Sequence, residues 1–128
     1  MPSRQHAFTI VEVLIVVITL GILAAIVVPQ FSDASINAKE SALHNNLQIV
    51  RGQVELYKLQ QSTYPTLANF TTAMTTKLND HGPYLQSIPD NPYWTGDPSR
   101  ANSVGSGGAG TSAWYYNETT GEFRENHR

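Results

Sequence analysis

Polar and apolar positions divide the chain into two unlike parts. From residue 10 to 28 only Glu12 and Thr19 are polar, and the apolar stretch opens at Phe8. A run of this length is enough to cross a bilayer, which takes about 20 helical residues. In lipid only a helix satisfies all its backbone groups within one segment. Gly21 and Pro29 lie within or at the end of the run. Membrane helices tolerate both residues, and Pro29 is expected to kink the helix rather than stop it.

Beyond Pro29 the pattern changes period but remains helical. Ile36, Leu43, Leu47, Val50, Val54 and Tyr57 form one apolar stripe, while Lys39, Glu40, Gln48, Arg51, Glu55 and Lys58 occupy the other face. The first stop signal is Ser62-Thr63-Tyr64-Pro65. The spacing therefore predicts one helix over 8–61, roughly 80 Å long at 1.5 Å per residue. A domain this small cannot bury such a helix, so its first half requires lipid or other subunits.

The remainder is punctuated by turn residues. A short helix is expected over 67–78, ended by Asn79-Asp80-His81-Gly82. Pro83, Pro89 and Pro92 favour an extended loop, and the glycine- and serine-rich segment 103–112 a mobile one. Residues 113–116 and 122–124 read as strands of a hairpin, with Gly121 at a positive φ. The fold class is α+β. A long N-terminal helix has a membrane-spanning first half and an amphipathic second half, which packs on a small antiparallel sheet. The predicted segments are 1–7, a leader; 8–29, the membrane and filament-core helix; 30–61, its amphipathic continuation; and 62–128, a small globular domain.

Composition narrows the chemistry. The 128 residues contain no cysteine, which excludes disulfides, thiolate metal sites and a cysteine nucleophile. Net charge is −2 and the basic residues are scattered, so nothing points to a nucleic-acid partner. His6, His44, His81 and His127 have no metal-ligand spacing. The Ser106-Gly107-Gly108-Ala109-Gly110 run lacks the preceding strand and following Gly-Lys-Ser of a phosphate loop. Trp94, Trp114, Tyr115 and Tyr116 are expected to form the small core rather than a ligand surface. No catalytic constellation is present, and no enzymatic activity is expected.

Glu12 is the exception. A carboxylate in an apolar helix is costly in lipid and is usually paired. Cleavage between Ala7 and Phe8 would create an ammonium group on Phe8 at a similar depth. The two charges can pair within a subunit or between offset neighbours; alternatively Glu12 sits hydrated at the interface. The sequence Ala7-Phe8-Thr9-Ile10-Val11-Glu12, followed by a long apolar helix with Gly21 and Pro29, resembles the class III signal of type IV pilins and type II secretion pseudopilins. That resemblance covers about a quarter of the chain. It implies removal of residues 1–7 by a prepilin peptidase, methylation of the new amine on Phe8, and docking of Glu12 against the Phe8 amine of a neighbour. Ala7 departs from the glycine usual before the cut.

Tyr64-Pro65-Thr66, Gly82-Pro83-Tyr84-Leu85, Ile88-Pro89 and Asn91-Pro92-Tyr93 resemble the major pseudopilin G group, as does the absence of a cysteine-bounded loop. That resemblance implies a subunit of a type II secretion pseudopilus, with copies of itself, minor pseudopilins and an inner-membrane assembly platform as partners. It implies a single pass through the inner membrane, with the C-terminal domain in the periplasm or outside, followed by extraction into a filament. It also implies calcium, for which Asp90 and Asp97, with Asn91 or Asn102, are candidate oxygen donors, although Asp90 and Asp97 read more readily as turn residues beside prolines. The alternative is a type IV pilin for adhesion, motility or DNA uptake. A membrane-anchored enzyme or receptor would leave Glu12 unexplained.

Overall fold

The computed structural model describes residues 8–78 and 80–126. The expected leader, residues 1–7, and Asn79 in the expected helix stop lie outside the described residues. The chain forms two compact units, one ending at Ala38 and the other beginning at Lys39.

The first unit is helical from Ile10 onward, belonging to helix α1, Ile10–Gln61. Its large apolar side chains from Phe8 to Phe31 are all exposed, and the helix is long and apolar enough to cross a membrane. Thr19 is accommodated by donating its hydroxyl to the Val16 carbonyl at 2.9 Å, which leaves no unsatisfied donor on an apolar face. Pro29 does not stop the helix.

The second unit is built on α1 residues 39–61. Leu47, Val50 and Val54 are buried, with Leu43 and Tyr57 packed beside them. Ile36 departs from the predicted stripe: it lies in the first unit and is 56 % exposed. The core residues reach α1 only from Leu43 onward. A tight turn at Ser62, with φ 62, ends the helix without a glycine. A 3-10 turn, Leu67–Asn69, then leads into α2, Phe70–Thr75, which adds Phe70 and Met74 to the core. This helix is shorter than the sequence predicts. Thr75 and Thr76 turn their hydroxyls back to the carbonyls of Thr71 and Thr72, at 2.7 and 2.6 Å. Such local bonds compete with the helix ladder.

Three short strands complete the unit: β1, Val104–Gly105; β2, Trp114–Tyr116; and β3, Phe123–Glu125. The predicted hairpin is β2–β3, paired antiparallel with Tyr116 opposite Phe123. The sheet is mixed rather than antiparallel throughout, because β1 pairs with β2 in parallel. Alternation along β2 sends Trp114 and Tyr116 into the core and leaves Tyr115 on the outer face, where the Arg124 guanidinium stacks 3.9 Å from its ring centroid. Trp114, Tyr116, Phe70 and Phe123 form the aromatic centre, with ring centroids 4.4 to 5.7 Å apart. Each such ring buries ~150–250 Å², and Leu47, Met74, Tyr84 and Ile88 are buried in the same cluster.

Segment 103–112, expected as a mobile loop, is hydrogen-bonded to Asn126, and the glycine-rich run at 106–110 does follow a strand, contrary to expectation. Segment 103–112 opens with β1, and its remainder is fastened by Asn126, which is buried. The Asn126 side-chain amide donates to the Gly108 carbonyl and the Ser112 hydroxyl, both at 3.1 Å. Gly110 N–H in turn donates to the Asn126 carbonyl at 2.8 Å.

Polar bonds fix the start of the post-helix segment. Tyr116 donates its hydroxyl to the Pro65 carbonyl at 2.9 Å, and burial raises the ionisation of that hydroxyl well above its usual range. Lys58 donates to Tyr64, which donates to Glu55, each at 3.0 Å. Gly121 is required twice. Its φ is +74, and a Cβ there would strike the ring of Tyr64. Gly110 has a similar φ, +77, but open space around it. Gly110→Ala is therefore expected to cost about 1 kcal/mol, from backbone strain alone, and Gly121→Ala clearly more. Thermal melting of the detergent-solubilised chain checks this; equal losses would show that the Tyr64 contact yields freely.

Candidate functional site

The start of α1 is organised by Thr9 and Glu12. Thr9 is the last residue before the helix, and its hydroxyl accepts the Glu12 N–H at 3.2 Å. The Glu12 carboxylate reaches back and accepts the Thr9 N–H at 2.9 Å and the Thr9 hydroxyl at 3.0 Å, both on Oε2. This is a capping box: two N–H groups that the first turn leaves without helical partners are satisfied reciprocally. The carboxylate also lies where the positive end of the helix dipole favours an anion.

The arrangement gives Glu12 a use inside its own chain that pairing with an amine does not require. It also holds the carboxylate at the very end of the helix, facing Thr9, beside the expected new N-terminus. Phe8 is exposed. Ala7, the other half of the predicted cleavage pair, lies outside the described residues. Thr9 is the residue that the sequence reading missed. Its signal was present as Thr-x-x-Glu ahead of an apolar run.

The loop oxygen donors lie in the second unit, and most have local roles. Asp97 caps the 3-10 turn Pro98–Arg100. Its Oδ1 accepts the hydroxyl and the N–H of Ser99, at 2.8 and 2.9 Å, and these bonds hold its carboxyl below the ordinary aspartate range. Asn91 is buried; its amide donates to the Ala113 carbonyl at 2.7 Å and its Oδ1 accepts the Tyr93 N–H at 2.9 Å. The Asp90 carbonyl accepts from Asn46 at 3.1 Å, and Asn102 is exposed. Calcium takes six to eight oxygens, so a calcium ion here would have to share Asp97 Oδ1 with Ser99 and Asn91 Oδ1 with the Tyr93 N–H. Among the described residues no three His, Asp or Glu side chains gather as a metal cluster. Of the aromatics expected in the core, Trp114 and Tyr116 are core and Trp94 packs against it, whereas Tyr115 lies on the outer face of β2 beneath Arg124.

Comparison with known proteins converges on the helix start and extends past it. Residues 2–28 match the prokaryotic N-terminal methylation motif. Over most of its length the chain is similar to proteins named type II secretion system core protein G. The Pseudomonas aeruginosa relative is 31 % identical, across 82 % of this chain and 78 % of its own. The Vibrio cholerae relative is 32 % identical, across 70 % and 66 %. The Klebsiella pneumoniae relative is 29 % identical, across 71 % of each. No solved structure matches. A methylation signal at the head of an exposed apolar helix, carried by a chain that aligns with these relatives through its small folded unit, makes this protein a member of the type II secretion system core protein G family.

Proposed function

We propose that this protein is the subunit of a type II secretion pseudopilus, assembled side by side through the first half of α1. One observation carries the reading. The apolar helix is uncovered by its own chain, yet it opens on a carboxylate held at its first turn. A plain anchor could use the same cap, and the methylation motif over residues 2–28 is what separates this helix from one. The type IV pilin alternative is not favoured, because the relatives are named as secretion core proteins. The function is structural, and no enzymatic role is assigned.

Finer steps belong to the same proposal. The chain is held by one pass in the inner membrane with its folded unit outside the cytoplasm. A prepilin peptidase removes residues 1–7 between Ala7 and Phe8 and methylates the Phe8 amine. An inner-membrane assembly platform then draws the subunit into a filament with further copies and minor pseudopilins. Glu12 selects the offset at which its carboxylate meets the amine of a neighbouring Phe8, since an unpaired charge among apolar helices is costly.

Intact mass of the protein from its native membrane is expected to fit a chain beginning at Phe8 with a methylated amine. A start after Ala25, or an uncut chain beside an active peptidase, would overturn the proposal.

Two substitutions at Glu12 separate charge from cap. Glutamine serves at this position of a capping box, so Glu12→Gln keeps the helix start and removes only the charge; Glu12→Leu removes both. Both variants are expected to be processed and membrane-embedded, because neither makes the segment less apolar. Both are expected to assemble poorly, measured as sheared filament against membrane-held subunit. Wild-type yield from Glu12→Gln would leave Glu12 as a cap and nothing more.

The role of Asp97 is decided by calcium and pH together. The depressed ionisation stabilises the fold above the ordinary aspartate value of about 3.9, and that contribution is lost as pH falls through the still lower folded value. Asp97→Ala is thus expected to lower Tm at neutral pH with or without calcium, and the gap to wild type closes in acid. A millimolar-calcium rise in Tm that disappears in an Asp90→Ala, Asp97→Ala variant would instead make the pair calcium ligands.

A further inference from the structure

A cavity of about 410 Å³ lies in the second unit, among the end of α1, the segment that follows it and α2. That volume falls within the range of small-molecule sites, about 300–1,000 Å³. Tyr57 of α1 and Tyr64 of the post-helix segment line it. Both rings are held by the chain itself. Tyr57 meets Tyr84 edge to face, with centroids 5.3 Å apart, and the Tyr64 hydroxyl is fixed between Lys58 and Glu55 at 3.0 Å each. Walls that are already ordered lose little freedom when a ligand binds.

The rest of the lining is mostly polar, and none of it is charged. Thr63, Thr66, Asn69 and Thr72 contribute to it. Among the described residues none of these four side chains makes a hydrogen bond, so three hydroxyls and one amide are free to bond a ligand. Asn69, Thr72 and Ala73 follow at spacings of three and four, which brings them to one face. Ala73 is buried and also lines the cavity, so a small apolar spot adjoins the free amide.

This lining selects by chemistry. It holds no ammonium, guanidinium or carboxylate to pair with an ion or a phosphate. A purely apolar ligand would strip water from four polar groups and return no bonds. A pyranose suits both features, since its hydroxyls meet the polar groups and its C–H faces pack on aromatic rings. An acetamide substituent suits the third: its N–H and carbonyl match the Asn69 amide, and its methyl matches Ala73. We infer that this cavity is a binding site for a neutral, N-acetylated pyranoside. The inference draws on the second unit alone and stands whether or not the filament reading does.

The test uses the full chain, solubilised in a detergent without a sugar headgroup, with N,N′-diacetylchitobiose as the probe. Equilibrium dialysis is expected to give saturable binding with a Kd of about 1 mM. Maltose, which has the rings but no acetamide, is expected to bind several-fold more weakly. Asn69→Ala and Thr72→Val each remove one free polar group and are expected to weaken the probe about fivefold to tenfold at unchanged Tm. If one variant loses Tm, the other decides. Cosedimentation with purified cell-wall sacculi separates a glycan strand, which carries the protein down, from a free disaccharide, which does not. No saturable binding of the probe, or binding that both variants leave at wild-type strength, overturns the site. Equal affinity for maltose overturns the acetamide assignment. Tighter binding of a neutral peptide of similar size overturns the sugar in favour of an extended backbone.

Discussion

An apolar helix that its own chain cannot cover governs this protein. Burial of apolar area is the main favourable term in folding, and here a long stretch of α1 obtains none of it internally. The segment therefore has two acceptable surroundings, lipid and copies of itself. Membrane residence and filament formation are two answers to one solvation problem, and passage between them exchanges one apolar environment for another. The one charge in that stretch, Glu12, is met within the chain by the N–H and hydroxyl of Thr9.

The second unit solves the opposite problem. It has little apolar material and must fold in water. Four aromatic rings form the centre of its core, and α1 contributes Leu47, Val50 and Val54 to the same cluster. Hydrogen bonds replace the missing bulk at the margins: Tyr116 donates to the Pro65 carbonyl, Arg51 to the Phe123 carbonyl, and the Leu67 N–H to the Glu118 carboxylate. Each joins segments far apart in sequence, so the post-helix chain is held to α1 and the sheet by specific bonds as well as by apolar contact.

The sequence made legible whatever rested on a long period or a single decisive residue. Helix α1 was readable because its pattern persists over many turns and its proline sits where a membrane helix tolerates one. The hairpin was readable because Gly121 stands where a positive φ is needed. Strand β1 was not, since two residues in a glycine-rich segment have no alternation to detect. The length of α2 was missed because threonine hydroxyls compete with the helix ladder in a way that propensity does not register. Ile36 was assigned to the buried stripe on spacing, which says which face a residue occupies but not where the covering domain begins. At the helix start, Glu12 drew notice as a misplaced charge. Thr9 did not, although Thr-x-x-Glu ahead of an apolar run is the pattern of a capping box.

The bond from Arg51 to the Phe123 carbonyl spans 72 positions of sequence, and those fixing Leu67 and Pro65 span 51 each. Helical turns close through contacts three or four residues apart and form in about a microsecond or less, whereas contacts of such long range are gathered far more slowly. The two halves of the molecule therefore mature on different clocks. The apolar rod is complete as soon as its residues are free to coil, while the folded unit waits for distant strands to find the helix. The contact distances thus separate a helix that local bonds can complete from a folded unit that long-range bonds must close.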